Sequence, residues 1–152
     1  MTCQLRQSVA AFALIRREEN DQTLWLAQWN RHWNCYNLVG GHKRPDETFR
    51  ECAIREVSEE LQLREDEDYT VAETPTAHLD YEAWSESAGQ TTAYTVEVFQ
   101  VLLNGSLAID KIDTIPINRW VTLDEVQLGR TADDRRISPT MKRLVEQVGS
   151  CP

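Results

Sequence analysis

Three features of the 152-residue sequence predict an α/β domain in which a mixed sheet carries helices on its faces. Short apolar runs of strand length fill the region before Gly40-Gly41 and recur between 70 and 123. Two stretches, beginning near Asp46 and Ser138, carry helical periodicity, and neither a repeat nor a linker divides the chain. With 41% hydrophobic and 27% charged residues the composition is that of a globular domain. A chain of this length hides roughly 70% of its unfolded surface, so neither disulfides nor a structural metal are needed. Residues 1–152 are therefore read as one domain.

The elements follow in order. Ser8–Ile15 is an apolar run, Arg16–Gln22 closes it, and Thr23–Trp29 is a second run, so the two read as a hairpin. Trp33–Val39 returns as one further strand and stops at Gly40-Gly41. From Asp46 to Leu61, Phe49, Ala53, Val57 and Leu61 recur every four positions, with Cys52 and Ile54 beside them, which is one face of an amphipathic helix. Arg64–Asp68 reads as a solvated acidic connection. Thr70–Ala72, Thr76–Tyr81, Thr92–Leu103 and Arg119–Leu123 are strand candidates, and Asn104-Gly105 between apolar runs reads as a tight hairpin turn. Ser138 caps a final helix, Pro139 suits its first turn, Met141, Leu144, Val145 and Val148 share a face, and Gly149 ends it.

Charge limits the partners. With 16 basic against 25 acidic residues the net charge is -9, which opposes a sequence-independent grip on nucleic acid or on an anionic membrane. An anionic substrate would need a metal or a local basic cluster. Cys3, Cys35, Cys52 and Cys151 form no C-x-x-C pair and read as free thiols of a reducing compartment. No secretory pattern opens the sequence and no run approaches a membrane span, so a cytoplasmic location is expected. His32, His42 and His78 have neither zinc-pair spacing nor cysteine partners, and the serine-hydrolase elbow, the P-loop and the dinucleotide fingerprint are all missing.

The chemistry concentrates between Gly41 and Leu63. Glu56, Glu59 and Glu60 stand at i, i+3 and i+4, so their carboxylates project from one side of a helix and repel one another. By itself such a stripe is also what a solvated helix face looks like. A divalent cation with hard oxygen ligands would relieve the repulsion, and Mg²⁺ typically joins a few carboxylates to substrate phosphates.

Around the stripe, Gly41, Glu47 after five intervening residues, Arg55-Glu56-Val57 after seven more, Glu59-Glu60 and Leu63 resemble the signature of the Nudix hydrolase family. A chance match of this extent in such a chain is on the order of one in 10⁵ to 10⁶. Gln62 departs from the pattern, which has Gly there. Gln must either take a left-handed conformation at roughly 1 kcal/mol or let the helix run on. A milder departure is Val39, where many relatives carry Pro.

The resemblance implies a Nudix-type α/β/α sandwich. It implies that Glu56, Glu59 and Glu60 hold Mg²⁺ or Mn²⁺ with the Gly41 carbonyl as an additional ligand, and that Glu47 and Arg55 form a charge-assisted pair orienting them. The same pair could also be an exposed one of little consequence. The implied reaction is hydrolysis of a diphosphate linkage in a nucleoside diphosphate derivative, a small-molecule substrate. Glu56 is a plausible base. Some relatives use a downstream acid, for which Asp113 is the first candidate, with Glu97 and Asp110 behind it. Lys43 and Arg44 are candidates for phosphate contact or a solvated basic loop. Trp29, Trp33, Tyr36, Tyr81 and Trp84 could stack on a base or pack in the core, and Tyr81 lies where dinucleoside polyphosphate hydrolases of the family carry a tyrosine.

Two alternatives stay open: a catalytically inactive Nudix-like nucleotide-sensing domain, and the same chemistry on nucleoside triphosphates, dinucleoside polyphosphates or non-nucleotide diphosphates. Relatives are often dimers, which leaves a homodimer open.

Overall fold

The apolar run near the N-terminus is unbroken because both of its faces are buried. The computed structural model describes residues 5–149, and in it this run is the centre of β1 (Arg6–Glu19). Ala10, Phe12 and Leu14 enter one core and Ala11, Ala13 and Ile15 enter another, as the two-residue period of a strand dictates. Then come β2 (Gln22–Asn30), β3 (Cys35–Asn37), β4 (Val39–His42), α1 (Phe49–Leu61), β5 (Tyr69–Val71), β6 (Ala77–Ser85) and β7 (Gln90–Leu103). The chain continues through α2 (Ser106–Asp113), β8 (Asn118–Thr122), α3 (Leu123–Leu128) and α4 (Pro139–Gly149).

The sheet is mixed and organised around β1. β7 runs parallel to it from Arg6↔Thr92 to Ile15↔Val101, and β4 runs antiparallel along its other side from Ala10↔His42 to Ala13↔Val39. β5 and β6 pair antiparallel with β7, while the far end of β1 hairpins into β2, which carries β3 and β8. On one face α1 buries Cys52, Ala53, Val57 and Leu61 against Ala11, Ala13, Ile15, Phe99 and Val101. On the other face α4 buries Met141, Leu144, Val145 and Val148 against Phe12, Leu14, Val96 and Val98. Each large apolar side chain so buried stabilises the fold by about 1.5–3 kcal/mol. The result is the α/β/α sandwich the sequence implied. Among the described residues no helix is long and apolar enough to cross a membrane.

Four local expectations need correction. Trp33–Val39 is not one strand: the chain leaves β2 as partner after β3 and joins β1 in β4, with Leu38 between them. Asn104-Gly105 is not a hairpin turn, because Gly105, at φ 118°, precedes α2, whose Ala108 and Ile112 are buried one turn apart. Arg64–Asp68 is not simply solvated, since Asp68 is buried, accepts from the Arg64 backbone N–H at 2.8 Å and binds Lys111 Nζ at 2.9 Å. Finally, β8 ends at Thr122, which caps α3 in a capping box with Glu125. Cys35 and Cys52 are free and buried, whereas Cys3 and Cys151 lie outside the described residues.

Candidate active site

The site begins at a sheet corner and a capped helix. Thr48 and Glu51 close a capping box, the Thr48 oxygen accepting from the Glu51 N–H at 3.1 Å and the Glu51 carboxylate from the Thr48 N–H at 2.8 Å. The helix therefore starts at Phe49, later than the Asp46 suggested by periodicity. It ends at Gln62, which takes the left-handed conformation (φ 55°, ψ 41°) that the family pattern gives to Gly. Between these ends, Glu56 is buried beside Gly41, and a Cβ at Gly41 would stand 2.6 Å from Glu56 Oε1.

Arg55 locks this corner together. Its Nε donates to Glu47 Oε2 at 3.0 Å and its Nη2 to Glu47 Oε1 at 2.7 Å, a bidentate fork. Nη1 donates to Glu56 Oε1 at 3.0 Å, Nη2 also reaches the His42 carbonyl at 3.1 Å, and Glu59 lies 3.6 Å away. Glu47 is held down at about 2, first by its hydrogen bond from Arg55 and then by the Arg44 backbone N–H. The pair is thus not a surface ornament: both side chains are largely buried. Cys52 donates weakly to the Gly41 carbonyl at 3.5 Å, and burial, with Glu47 nearby, pushes its thiol up to about 11 and keeps it protonated.

Glu60 completes the stripe. Desolvation first, then the charges of Glu56 and Glu59, raise it above the ordinary carboxylate range. Among the described residues no three His, Cys, Asp or Glu side chains are drawn into a ligand cage. The donor set nevertheless suits a divalent cation. It consists of hard carboxylate oxygens whose mutual repulsion a cation would cancel, beside a Gly where any side chain would crowd Glu56.

Glu60 of the stripe, with Gly40, Gly41 and His42, is among the residues lining a cavity of about 430 Å³. Trp29, Trp33, Tyr81, Trp84 and Tyr94 supply its aromatic lining. Tyr81 stacks on Tyr94 with ring centroids 5.2 Å apart, and the Arg143 guanidinium lies 4.2 Å from the Tyr81 ring centroid. Tyr36 does not line the cavity: it is buried edge-on against Trp29.

Other expected site residues lie elsewhere. Lys43 folds back, its Nζ donating to the Glu47 carbonyl at 2.8 Å and sitting over Phe49, and with Glu47 it lines a second open cleft at the start of α1. The Arg44 backbone is committed to Glu47 at 2.9 Å. Asp113 accepts from Trp120 Nε1 at 2.8 Å and faces Arg17 at 3.7 Å. The Asp113 carboxylate is thus engaged by Trp120 and Arg17, while the neighbouring Ile112 carbonyl accepts from Asn118, whose Oδ1 accepts from Gln28, itself a donor to the Glu60 carbonyl at 3.2 Å. Glu97 shares the row of Ala11, but its carboxylate binds His78 Nδ1 at 2.7 Å, and Asp110 is exposed on α2. Sequence reasoning missed Arg6, Arg136 and Arg143, which also line the aromatic cavity. No local pattern marks them, since only the sheet register and the docking of α4 bring them together.

A family model described as the NUDIX domain matches residues 6–141. The chain belongs to the Nudix family. Solved structures agree on the fold. A C. elegans Ap4A hydrolase matches at 18% identity and TM-score 0.61, with 94% of this chain and 96% of that one covered. The M. smegmatis Nudix hydrolase RenU matches at 23% identity and TM-score 0.56, covering 95% and 88%. Shewanella oneidensis NrtR matches at 14% identity and TM-score 0.68, covering 93% of this chain and 61% of the longer NrtR chain. No curated protein matches.

Proposed function

We propose that this Nudix chain, a single domain, is a divalent-metal-dependent hydrolase of the diphosphate linkage in a nucleotide-type substrate. The observation that carries the reading is the Glu47–Arg55–Glu56 lock at α1, with Glu59 and Glu60 on the same side of the helix and Glu60 reaching the lining of an aromatic cavity. Glu56, Glu59 and Glu60 would hold Mg²⁺ or Mn²⁺, with the Gly41 carbonyl as a further ligand. Such a cation supplies polarisation of phosphate oxygens and a more acidic bound water.

The chain's own residues do the positioning. Arg55 fixes the Glu56 carboxylate through Nη1, and Glu47 fixes Arg55 in turn. Glu56 is our assignment for the group that takes the proton of the attacking water, a role worth about 10²- to 10⁴-fold. The aromatic cavity holds the nucleoside beside it, since aromatic faces stack on any base.

The test is Mg²⁺-dependent release of phosphate, pyrophosphate or nucleoside monophosphate from ADP-ribose, nucleotide sugars, dinucleoside polyphosphates and dNTPs, run beside Glu59→Gln. Turnover lost in the variant supports the assignment and names the substrate class. Nucleotide binding without turnover, indifferent to the variant, refutes it. That second outcome would favour a sensing domain, a reading supported by the NrtR Nudix domain, whose complex with ADP ribose matches this chain at TM-score 0.61. The intact Arg55, Glu56, Glu59 and Glu60 weigh against it here.

A further inference from the structure

The aromatic cavity is electrically two-ended. Apart from Glu60 of the stripe, the charged acid and base side chains lining it are Arg6, Arg136, Arg143 and Glu86. Three arginines against one carboxylate is the reverse of the whole chain, which has 25 acidic and 16 basic residues. Most basic side chains elsewhere have an acid within ion-pair distance, among them Arg17, Arg50, Arg55, Arg119 and Arg130. Among the described residues Arg6 and Arg143 have none: Arg6 donates to the Thr92 hydroxyl at 3.1 Å, and Arg143 rests on Tyr81. Arg136 meets Glu86 at 3.5 Å in a partly exposed pair, which an incoming anion can exchange. Ser138, Pro139 and Thr140 at the start of α4 line the same space, and the positive end of a helix dipole adds to the arginines.

Sheet register measures how far this basic end lies from the stripe. Gly41 pairs with Ala11. Ser8, three residues back along β1, opens the row Ser8–Tyr94–Tyr81 over which Arg143 sits, and Arg6, five residues back, opens the row Arg6–Thr92–Ala83. At strand spacing these rows lie roughly 10 and 17 Å along β1 from the Gly41 row, on the face that α4 covers, and Tyr81 and Tyr94 stand in the nearer of the two.

We propose that this end is a second anion site, which takes a phosphate monoester on the part of the substrate that is not cleaved. The preferred substrate is then a nucleoside diphosphate derivative with an additional phosphate on its ribose. Its diphosphate lies at the stripe, its base lies among Tyr81, Tyr94 and the tryptophans, and its distal dianion meets Arg6, Arg136 and Arg143. Arginine suits this task because its planar fork binds phosphate bidentately. The inference rests on the proposed nucleotide-type substrate, but it is a statement about binding and is tested without turnover.

The experiment is calorimetric binding of AMP, adenosine 2′,5′-bisphosphate and adenosine 3′,5′-bisphosphate to the full chain, wild type and the Arg143→Gln, Arg6→Gln and Arg143→Lys variants. The 2′ and 3′ arms separate the two sources of a ribose phosphate. At least one bisphosphate is expected to bind tenfold or more tightly than AMP. That ratio should fall to threefold or less in Arg143→Gln or Arg6→Gln and recover in part in Arg143→Lys, with thermal melts confirming that each variant is folded. Equal binding of all three nucleotides, a preference untouched in both glutamine variants, or no nucleotide binding at all overturns the proposal. Hydrolysis of NADPH over NADH, or of CoA over its 3′-dephospho form, would extend it to turnover. A tight bisphosphate preference with no hydrolysis of any compound would overturn the catalytic reading and leave the anion site standing.

Discussion

Gly41 and Glu56 are so close that a side chain on the first would displace the second: a Cβ at Gly41 would stand 2.6 Å from Glu56 Oε1 and 2.9 Å from its carboxyl carbon. Both contacts are with the far end of a flexible side chain, so Gly41→Ala should move the carboxylate and spare the fold. Its neighbour differs. A Cβ at Gly40 would run into the Ala11 carbonyl oxygen and lie 2.8 Å from Phe12 Cα, both backbone atoms of β1. Gly41→Ala is therefore expected to lose about 10²-fold in turnover with a melting temperature near wild type. Gly40→Ala should instead cost about 1–3 kcal/mol of stability. Turnover assays beside thermal melts check both, and a Gly41→Ala protein of full activity would contradict the role given to Glu56.

Arg55→Lys tests the fork. Lysine keeps the charge but cannot reach Glu47 Oε1, Glu47 Oε2 and Glu56 Oε1 together, as Arg55 does with three nitrogens. Groups that orient metal-binding side chains typically cost 10- to 100-fold in affinity or activity when changed. The expected result is a Mn²⁺ titration shifted by that factor, with kcat at saturating metal affected less. An unshifted titration would mean that Arg55 does not position the carboxylates.

Gln62 is a non-glycine residue held in the left-handed region at the end of α1. Gln62→Gly should relieve about 1 kcal/mol of that strain, partly offset by the greater freedom of Gly in the unfolded chain. A rise in melting temperature of roughly 2 °C is expected, with metal-dependent turnover changed little because the residue lies beyond the stripe.

Gln62 also shows what was legible in the sequence. Its departure from the family pattern posed a choice between a strained cap and a longer helix, and tertiary packing decided it, since Leu61 and Leu63 are both buried and leave no room for another turn to rotate them. Glu47, Arg55 and the stripe were legible because a sequence spacing fixes them on one helix and its preceding loop. The helix starts were legible too, in Thr48-x-x-Glu51 and Thr122-x-x-Glu125, although apolar periodicity alone set the first too early and hid the second. Gly105 misled for a physical reason: a glycine with positive φ serves a hairpin and a helix start equally, and only the burial of Ala108 and Ile112 separates them. The cavity was not legible. Arg6 and Tyr94 belong to neighbouring strands and Arg143 to the last helix, and nothing local in any of the three segments signals the others.

The Glu47–Arg55 fork should appear in the acid limb of stability. Glu47 sits at about 2 in the folded chain, against roughly 4.3 for an unperturbed glutamate, because Arg55 and then the Arg44 N–H bind its charged form. The unfolded state therefore takes up this proton first as pH falls. The stability due to the charged carboxylate is complete above about pH 5 and is lost progressively between there and about pH 2. Arg55 stays protonated throughout, its guanidinium held further up first by Glu47. Glu47→Gln removes the titration. Urea midpoints should show the variant below wild type by a constant margin from pH 7 to pH 5, and the margin should narrow between pH 4.5 and pH 3. A margin that stays constant to pH 3 would mean that Glu47 titrates alike in both states and that the fork is not closed in solution.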